Sequence, residues 1–250
     1  MNKSKDYVLE KYSRQIMIGQ IGVKGQNKII NSSISIIGCG GLGTSAAQYL
    51  SMSGVGNLTL IDNDKIELSN LNRQTLFNEN DIGEFKCKVL ANRIKDINSS
   101  IKINYYKNKI TTKNIKKYVG KCSIVLDCTD NFKSRIIINK FCYNEKKILI
   151  SAAIQNFDLQ AFILSSWSKH DNPCYKCIFP NLKNNQSMSC DEMGIIAPVA
   201  GLGGIIQANL AINFILKFKV NFKELILLDC QNFSLKKIRI LKNINCKECN

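Results

Sequence analysis

A chain of 250 residues that is 45% hydrophobic has enough apolar material for one sizeable core. Its net charge of +16 and pI near 9.4 favour an anionic substrate or an acidic partner, and prescribe neither fold nor reaction. The lysines are scattered rather than striped and no recognition motif accompanies them, which argues against nucleic-acid reading. An acidic protein or nucleotide, and plain base-composition drift towards Lys, Asn and Ile, stay open as sources of the charge.

The first residues, Met1-Asn-Lys-Ser-Lys-Asp-Tyr7, are polar and carry no apolar stretch of the secretory type. The 11 cysteines are therefore expected to stay reduced in a cytoplasmic setting. Tyr7 to Ile30 reads as helical and amphipathic, broken near Gly19 to Gly25. Ser33 to Ile37 is a short apolar strand that feeds a glycine loop, and Leu42 to Met52 is helical. Leu58 to Ile61 is a second strand ending at Asp62. A helix at Lys86 to Ile97, a strand at Ile101 to Tyr106 and a strand at Ile124 to Leu126 follow, the last closing on Asp127-Cys-Thr-Asp130. A helix from Phe132 to Tyr143 then leads to a strand at Ile148 to Ala152. Alternating strands and helices predict a Rossmann-like, mostly parallel α/β sheet. Three strands, near Leu159 to Ser165, Leu225 to Leu228 and Leu235 to Ile240, predict a mixed, partly antiparallel extension. The apolar stretch from Gly194 to Leu216 is interrupted by glycines, Gln207, Asn209 and Asn213, and reads as a buried helix rather than a membrane span. No repeat or linker divides the chain. One domain is expected over 1–250, with a nucleotide-binding front half to about 155 and a back half from about 156.

Gly38, Gly40 and Gly43 fit G-x-G-x-x-G, with Gly41 inside the same loop, a strand before it and a helix after it. Such a turn brings backbone N–H groups to a phosphate at a helix N-terminus, where a Cβ would obstruct the approach. Asp62, at the end of the next strand, is placed to accept from ribose hydroxyls. On these features alone the site is a dinucleotide or nucleotide site, and an NAD- or FAD-linked oxidoreductase is a full alternative. The polar run from Asp62 to Gln74 shifts the balance. Arg73 and Lys86 can hold phosphate oxygens, and Asp130 can hold a hard cation such as Mg²⁺. That set suits a triphosphate better than a nicotinamide.

Two matched pairs, Cys174-Tyr-Lys-Cys177 and Cys246-Lys-Glu-Cys249, offer four thiolates for one tetrahedral ion. They predict a closed structural zinc that pins the C-terminal region to the middle of the chain, a redox-active pair being the alternative. Only one histidine exists, His170, and no nucleophile-elbow motif accompanies it, so Ser-His-Asp chemistry is not indicated. It is expected on an exposed loop between Ser165 and Asn172. Cys87, Cys122, Cys128, Cys142 and Cys230 read as small buried or near-surface residues.

Over almost its whole length the chain resembles the ThiF/MoeB/HesA family, relatives of the ubiquitin-activating E1 proteins. The likeness lies in Lys11-Tyr-Ser-Arg14-Gln-Ile, Gly38-Cys-Gly-Gly-Leu-Gly-Thr44, Gly54-Val-Gly-Asn-Leu-Thr-Leu, Leu68-Ser-Asn-Leu-Asn-Arg-Gln-Thr, Asp127-Cys-Thr-Asp-Asn131, Cys174-Tyr-Lys-Cys177 and Cys190-Asp-Glu-Met-Gly. Cys39, Asn72 and Phe85 depart from the family's usual aliphatic residue, Gln and Pro. The resemblance implies ATP-dependent adenylylation of the C-terminal glycine of a ubiquitin-like sulfur carrier ending in Gly-Gly. Carried over residue by residue, it implies ribose binding by Asp62, phosphate contacts from Asn70, Arg73 and Lys86, and Mg²⁺ at Asp130. It also implies a homodimer in which Arg14 reaches the partner's site, a sulfur-handling role for Cys190, and a cysteine desulfurase or rhodanese as sulfur donor. Thr44, Ile82 and Phe179-Pro180 lean towards a ThiS-type carrier (thiamine thiazole synthesis) over a MoaD-type one (molybdopterin synthesis). An E1-like enzyme acting on tRNA remains a second alternative.

Overall fold

The computed structural model describes residues 5–180 and 194–249. Five parallel strands form its centre: β1 (Ser33–Ile37), β2 (Asn57–Ile61), β3 (Lys102–Tyr106), β4 (Ile124–Asp127) and β5 (Ile148–Gln155). β6 (Asp158–Leu164), β7 (Glu224–Asp229) and β8 (Ser234–Arg239) continue the same sheet as an antiparallel meander, in the order β3-β2-β1-β4-β5-β6-β7-β8. β4 is buried throughout and β1 and β2 nearly so, as expected for parallel strands covered on both faces. Their side chains divide by alternation. Ile34, Ile36, Leu126 and Ile150 enter one core, whereas Ile37, Val125 and Leu149 enter the other.

The helices are α1 (Lys5–Lys11), α2 (Ser13–Ile16), α3 (Gly22–Ile30), α4 (Gly41–Ser53), α5 (Lys86–Ile97), α6 (Ile115–Val119), α7 (Phe132–Asn144), α8 (Tyr175–Ile178) and α9 (Ala197–Leu216). The N-terminal helical region breaks differently from expectation. The helix stops at Ile16 and resumes at Gly22, and Gly25 lies inside α3. A Cβ on Gly25 would sit 3.0 Å from both Ile21 and Leu216, so this glycine serves close packing and not chain reversal. α9 is long and apolar enough to cross a membrane by length and composition, with mean hydropathy 1.7. In the fold it lies across α4. A Cβ on Gly204 would fall 2.2 Å from the Leu42 carbonyl oxygen, and Ser45 Oγ donates to the Gly201 carbonyl at 2.7 Å. Its burial is one-sided: Ala200, Gly203, Gln207 and Ala211 are inside, and much of the opposite face is half-buried.

The expected division of the chain near 155 falls in the hairpin between β5 and β6. More important for function is the strand order. β1 has β2 on one side and β4 on the other, so the crossovers diverge there and leave a crevice at the carboxyl ends of these strands.

Candidate nucleotide site and metal-capable cysteine cluster

Three strand ends supply the crevice. After β1 comes the glycine loop, after β2 comes Asp62, and after β4 comes the turn Cys128-Thr-Asp130. Together they frame a cleft of ≈ 260 Å³. Of the residues singled out from sequence, Gly38, Gly40, Gly41, Asp62, Asn70, Arg73, Lys86 and Asp130 all line it. Gly43 and Arg14 do not.

The loop glycines have separate jobs. Gly38 adopts φ +93°, and a Cβ there would meet the Cys128 carbonyl oxygen at 2.6 Å. Gly43 lets α4 start directly over the loop, because its Cβ would fall 1.9 Å from the Gly38 carbonyl oxygen. At Gly40 the nearest protein atom to a Cβ is Gln74 Nε2, 3.7 Å away. Protein packing therefore does not require glycine at 40, and the space beside it belongs to the cleft. With its N-terminal amides facing this space, α4 offers a ready anion cradle. The donor set thus fits a nucleotide phosphate.

Asp62 anchors the loop. Its Oδ2 accepts the Cys39 N–H at 2.6 Å and its Oδ1 the Asp64 N–H at 2.7 Å. Burial raises its pKa above the ordinary carboxylate value, against those two donors and Lys86, which act to lower it. Cys39 and Cys87 lie beneath it as buried thiols, Cys87 pushed up to about 11 by desolvation.

Lys86 begins α5 and is 8% exposed, unlike Lys88, which faces solvent and pairs with Glu84. Lys86 Nζ reaches Asp64 Oδ2 at 3.4 Å. The fold buries Lys86 because Phe85 caps α5 while Lys86 N–H bonds the Asp64 carbonyl, turning the side chain into the cleft. Asn70 is buried and its Oδ1 accepts the Glu67 N–H at 3.2 Å, closing the short 3₁₀ turn that carries Arg73. Arg73 Nη1 bonds the Ser69 carbonyl at 2.8 Å and Asn72 Oδ1 at 3.0 Å. Asp130 is exposed and accepts from Asn131 Nδ2 at 3.2 Å, while Asn131 Oδ1 caps α7 through the Ser134 N–H. Arg14 stands on exposed α2. Cys190 lies outside the described residues.

Among the lining residues that had received no role from sequence, Arg135 and Gln74 are both deeply buried and polar. Arg135 is 6% exposed and donates through Nε and Nη2 to the Thr129 carbonyl at 3.1 and 2.6 Å, bracing the turn that presents Asp130. Nothing in Phe132-Lys-Ser-Arg135-Ile distinguishes it from an exposed helix cation. Gln74 is 2% exposed and follows Arg73 in a motif that sequence did single out. A third support comes from α9, where Gln207 Nε2 bonds the Asp127 and Ile150 carbonyls at 2.9 and 3.3 Å.

On the far side of α7 the four paired cysteines meet. Their sulfurs all lie within 4.8 Å of one another, with Cys174–Cys177 at 3.8 Å and Cys174–Cys246 and Cys177–Cys249 at 3.6 Å. Four thiolates about 2.3 Å from a tetrahedral ion stand about 3.8 Å apart, so the cluster is shaped for a metal. The hydrogen bond between the Cys174 and Cys177 sulfurs holds the Cys177 pKa below its ordinary value and raises that of Cys174. Tyr175 N–H to Asn139 Oδ1, at 2.9 Å, fastens this knuckle to α7. His170 is exposed and outside the cluster.

The ThiF family matches residues 12–249. The chain is 35% identical over 240 residues to the sulfur carrier protein ThiS adenylyltransferase of Escherichia coli K12, covering 96% of this chain and 94% of that protein. It is 35% identical to a probable molybdopterin-synthase adenylyltransferase of Gracilaria tenuistipitata var. liui, over 94% of this chain and 66% of that protein. It is 36% identical to the adenylyltransferase and sulfurtransferase MOCS3 of Xenopus laevis over 79% of this chain, but spans only 44% of that longer protein. Among solved structures, E. coli MccB with ATP superposes with a TM-score of 0.82 at 26% identity, over 99% of this chain and 76% of that one.

Proposed function

The chain belongs to the ThiF family and is an adenylyltransferase; from that premise we propose that it caps the C-terminal glycine of a ubiquitin-like sulfur carrier with AMP, using ATP. The observation that carries this reading is the convergence of Arg73, Lys86 and Asp130 on one cleft with the glycine loop and Asp62. An NAD site needs the loop and the acid, and has no use for two phosphate-directed cations and a second carboxylate.

In the proposed reaction Asp62 holds the ribose, and the amides at Gly40 and Gly41 with the start of α4 receive the phosphates. Asn70, Arg73 and Lys86 oppose the triphosphate charge. Asp130 would hold Mg²⁺, whose charge would neutralise phosphate oxygens. The carrier's terminal carboxylate is already ionised near neutral pH, so no general base is needed. Its oxygen bonds to the α-phosphorus as the bond to the pyrophosphate oxygen breaks. Positioning and charge stabilisation account for the catalysis.

The remaining assignments belong to the same proposal. Arg14 completes the partner's cleft in a homodimer. Cys174, Cys177, Cys246 and Cys249 hold one structural zinc, and Cys190 serves sulfur delivery rather than adenylylation. The chain works in the cytoplasm as one unit, 1–155 binding nucleotide and 156–250 receiving the carrier, with a desulfurase or rhodanese as donor. A ThiS-type carrier is preferred over a MoaD-type one on Thr44, Ile82 and Phe179-Pro180. ATP–pyrophosphate exchange with each carrier, with tRNA and with no addition tests this. Exchange dependent on a Gly-Gly carrier is expected. Exchange driven by tRNA alone, or tighter binding of NAD than of ATP, would replace the proposal.

A further inference from the structure

We infer that Gln74 recognises the last peptide N–H of the carrier's tail and so positions the terminal carboxylate beside the nucleotide. This rests on the adenylylation proposed above and adds a residue that it leaves without a role.

The starting observation is an unpaired amide. Gln74 is 2% exposed, its Oε1 is buried without a hydrogen-bond partner, and its side chain makes no hydrogen bond among the described residues. Leaving such an amide dry and unpaired costs about 1–3 kcal/mol, a cost that a ligand in the same cleft can relieve. Local structure does not leave it elsewhere to go. Gln74 N–H bonds the Asn70 carbonyl and Phe77 N–H bonds the Gln74 carbonyl, so its backbone is locked into the turn that also carries Arg73. The side chain lines the cleft, with Nε2 3.7 Å from the place a Cβ on Gly40 would take.

The chemistry of the two ligands decides which of them it reads. A carboxamide oxygen needs a donor. Phosphate oxygens at neutral pH are acceptors, and so is the attacking carboxylate. The ribose hydroxyls have Asp62, which meets the loop one residue earlier, at Cys39. Two donors are left: the adenine amino group, which the covalent order base–ribose–phosphate sets beyond the ribose from the reacting phosphate, and the N–H of the carrier's final glycine, which must lie within one residue of the reacting carboxylate and is the one this amide reads. Space agrees with this. Gly40 leaves the loop without a side chain on that side, and a tail of glycines brings none, so two backbones can approach with only the amide between them. The wall continues as Ile154, Ile195 and Ala200, apolar groups that offer the tail no competing partner.

The test uses the full-length enzyme and semisynthetic carriers ending in glycine or in N-methylglycine, which lacks that one N–H. Wild-type enzyme is expected to show a KM about tenfold higher for the N-methylated carrier, the worth of one hydrogen bond. Gln74→Leu is expected to raise KM for the ordinary carrier by a similar factor, to lose discrimination between the two carriers, and to bind ATP within about twofold of wild type. Because the substitution removes an unpaired buried amide, its melting temperature should be unchanged or higher. Equal discrimination by Gln74→Leu and wild type would overturn the inference. So would a loss of ATP affinity with carrier KM unchanged, or a marked fall in melting temperature. Failure of wild-type enzyme to adenylate the ordinary carrier is a different result, and counts against the proposed function itself.

Discussion

Cys39 N–H donates to Asp62 Oδ2 at 2.6 Å, and this bond ties the glycine loop after β1 to the end of β2. The same carboxylate proposed for ribose thus also shapes the loop proposed for phosphate. Its pKa is raised by burial. Between the ordinary carboxylate pKa and this raised value, the folded chain holds a proton that the unfolded chain has lost, so this group's contribution to stability falls as pH rises through that window. Nucleotide binding runs the other way, because the ionised carboxylate is the better acceptor. ATP affinity of wild type should fall as pH drops through the raised value, relative to Asp62→Asn, which should bind weakly with that component absent. Titration calorimetry across pH on both proteins measures the difference.

Gly43 and Gly40 should respond differently to the same added methyl group. Gly43→Ala forces a Cβ onto the Gly38 carbonyl and should leave little folded protein. Gly40→Ala meets no protein atom closer than 3.7 Å and should fold with an unchanged melting temperature, yet lose ATP affinity by at least about tenfold. Circular dichroism melts paired with nucleotide binding separate the two.

Lys86→Met should lower carrier-dependent exchange by about 100-fold or more, since it removes a charge proposed to oppose the triphosphate. Its partner Asp64 has a side chain 59% exposed and is not stranded by the change. Asp130→Ala should abolish exchange while leaving stability within about 0.5 kcal/mol, because the side chain is exposed. Undiminished exchange in Asp130→Ala would remove the Mg²⁺ assignment.

Arg14 offers a test of assembly. Arg14→Ala and Lys86→Ala chains, each inactive alone, should recover about one quarter of wild-type exchange when unfolded and refolded together. Half the dimers are then mixed, and each mixed dimer has one complete site. No recovery, with mixed dimers shown by mass spectrometry, would place Arg14 outside the partner's cleft.

Elemental analysis should find one zinc per chain. Cys249→Ser should release it and cost about 4 kcal/mol or more, because the C-terminal segment loses its attachment to α8. A chelator should lower the melting temperature of wild type and leave that of Cys249→Ser unchanged.

Much of this molecule was legible in its residues because the signals are local. The Ile and Leu runs at 33–37, 58–61 and 124–126 are long enough to bury a strand on both faces. Two Cys-x-x-Cys spacings announce a knuckle each, whatever lies between them. The glycine spacing announces a turn that other residues cannot make, although the break assigned near Gly19 to Gly25 shows the limit of that logic. At Gly25 the small residue answers to packing, against Ile21 in the turn before it and against Leu216, nearly two hundred positions away, and not to a chain reversal.

Sequence by itself determined the order of elements, the phosphate-type loop and the existence of two sulfur pairs, since each depends on neighbours a few residues apart. Only the tertiary structure decided that Lys86 is inside and Lys88 outside, that Arg135 braces the Asp130 turn, and that Gln74 is buried in the cleft wall with no hydrogen-bond partner for its amide oxygen among the described residues. Burial and pairing are set by what the folded chain brings from elsewhere, and no spacing along a strand or helix records that.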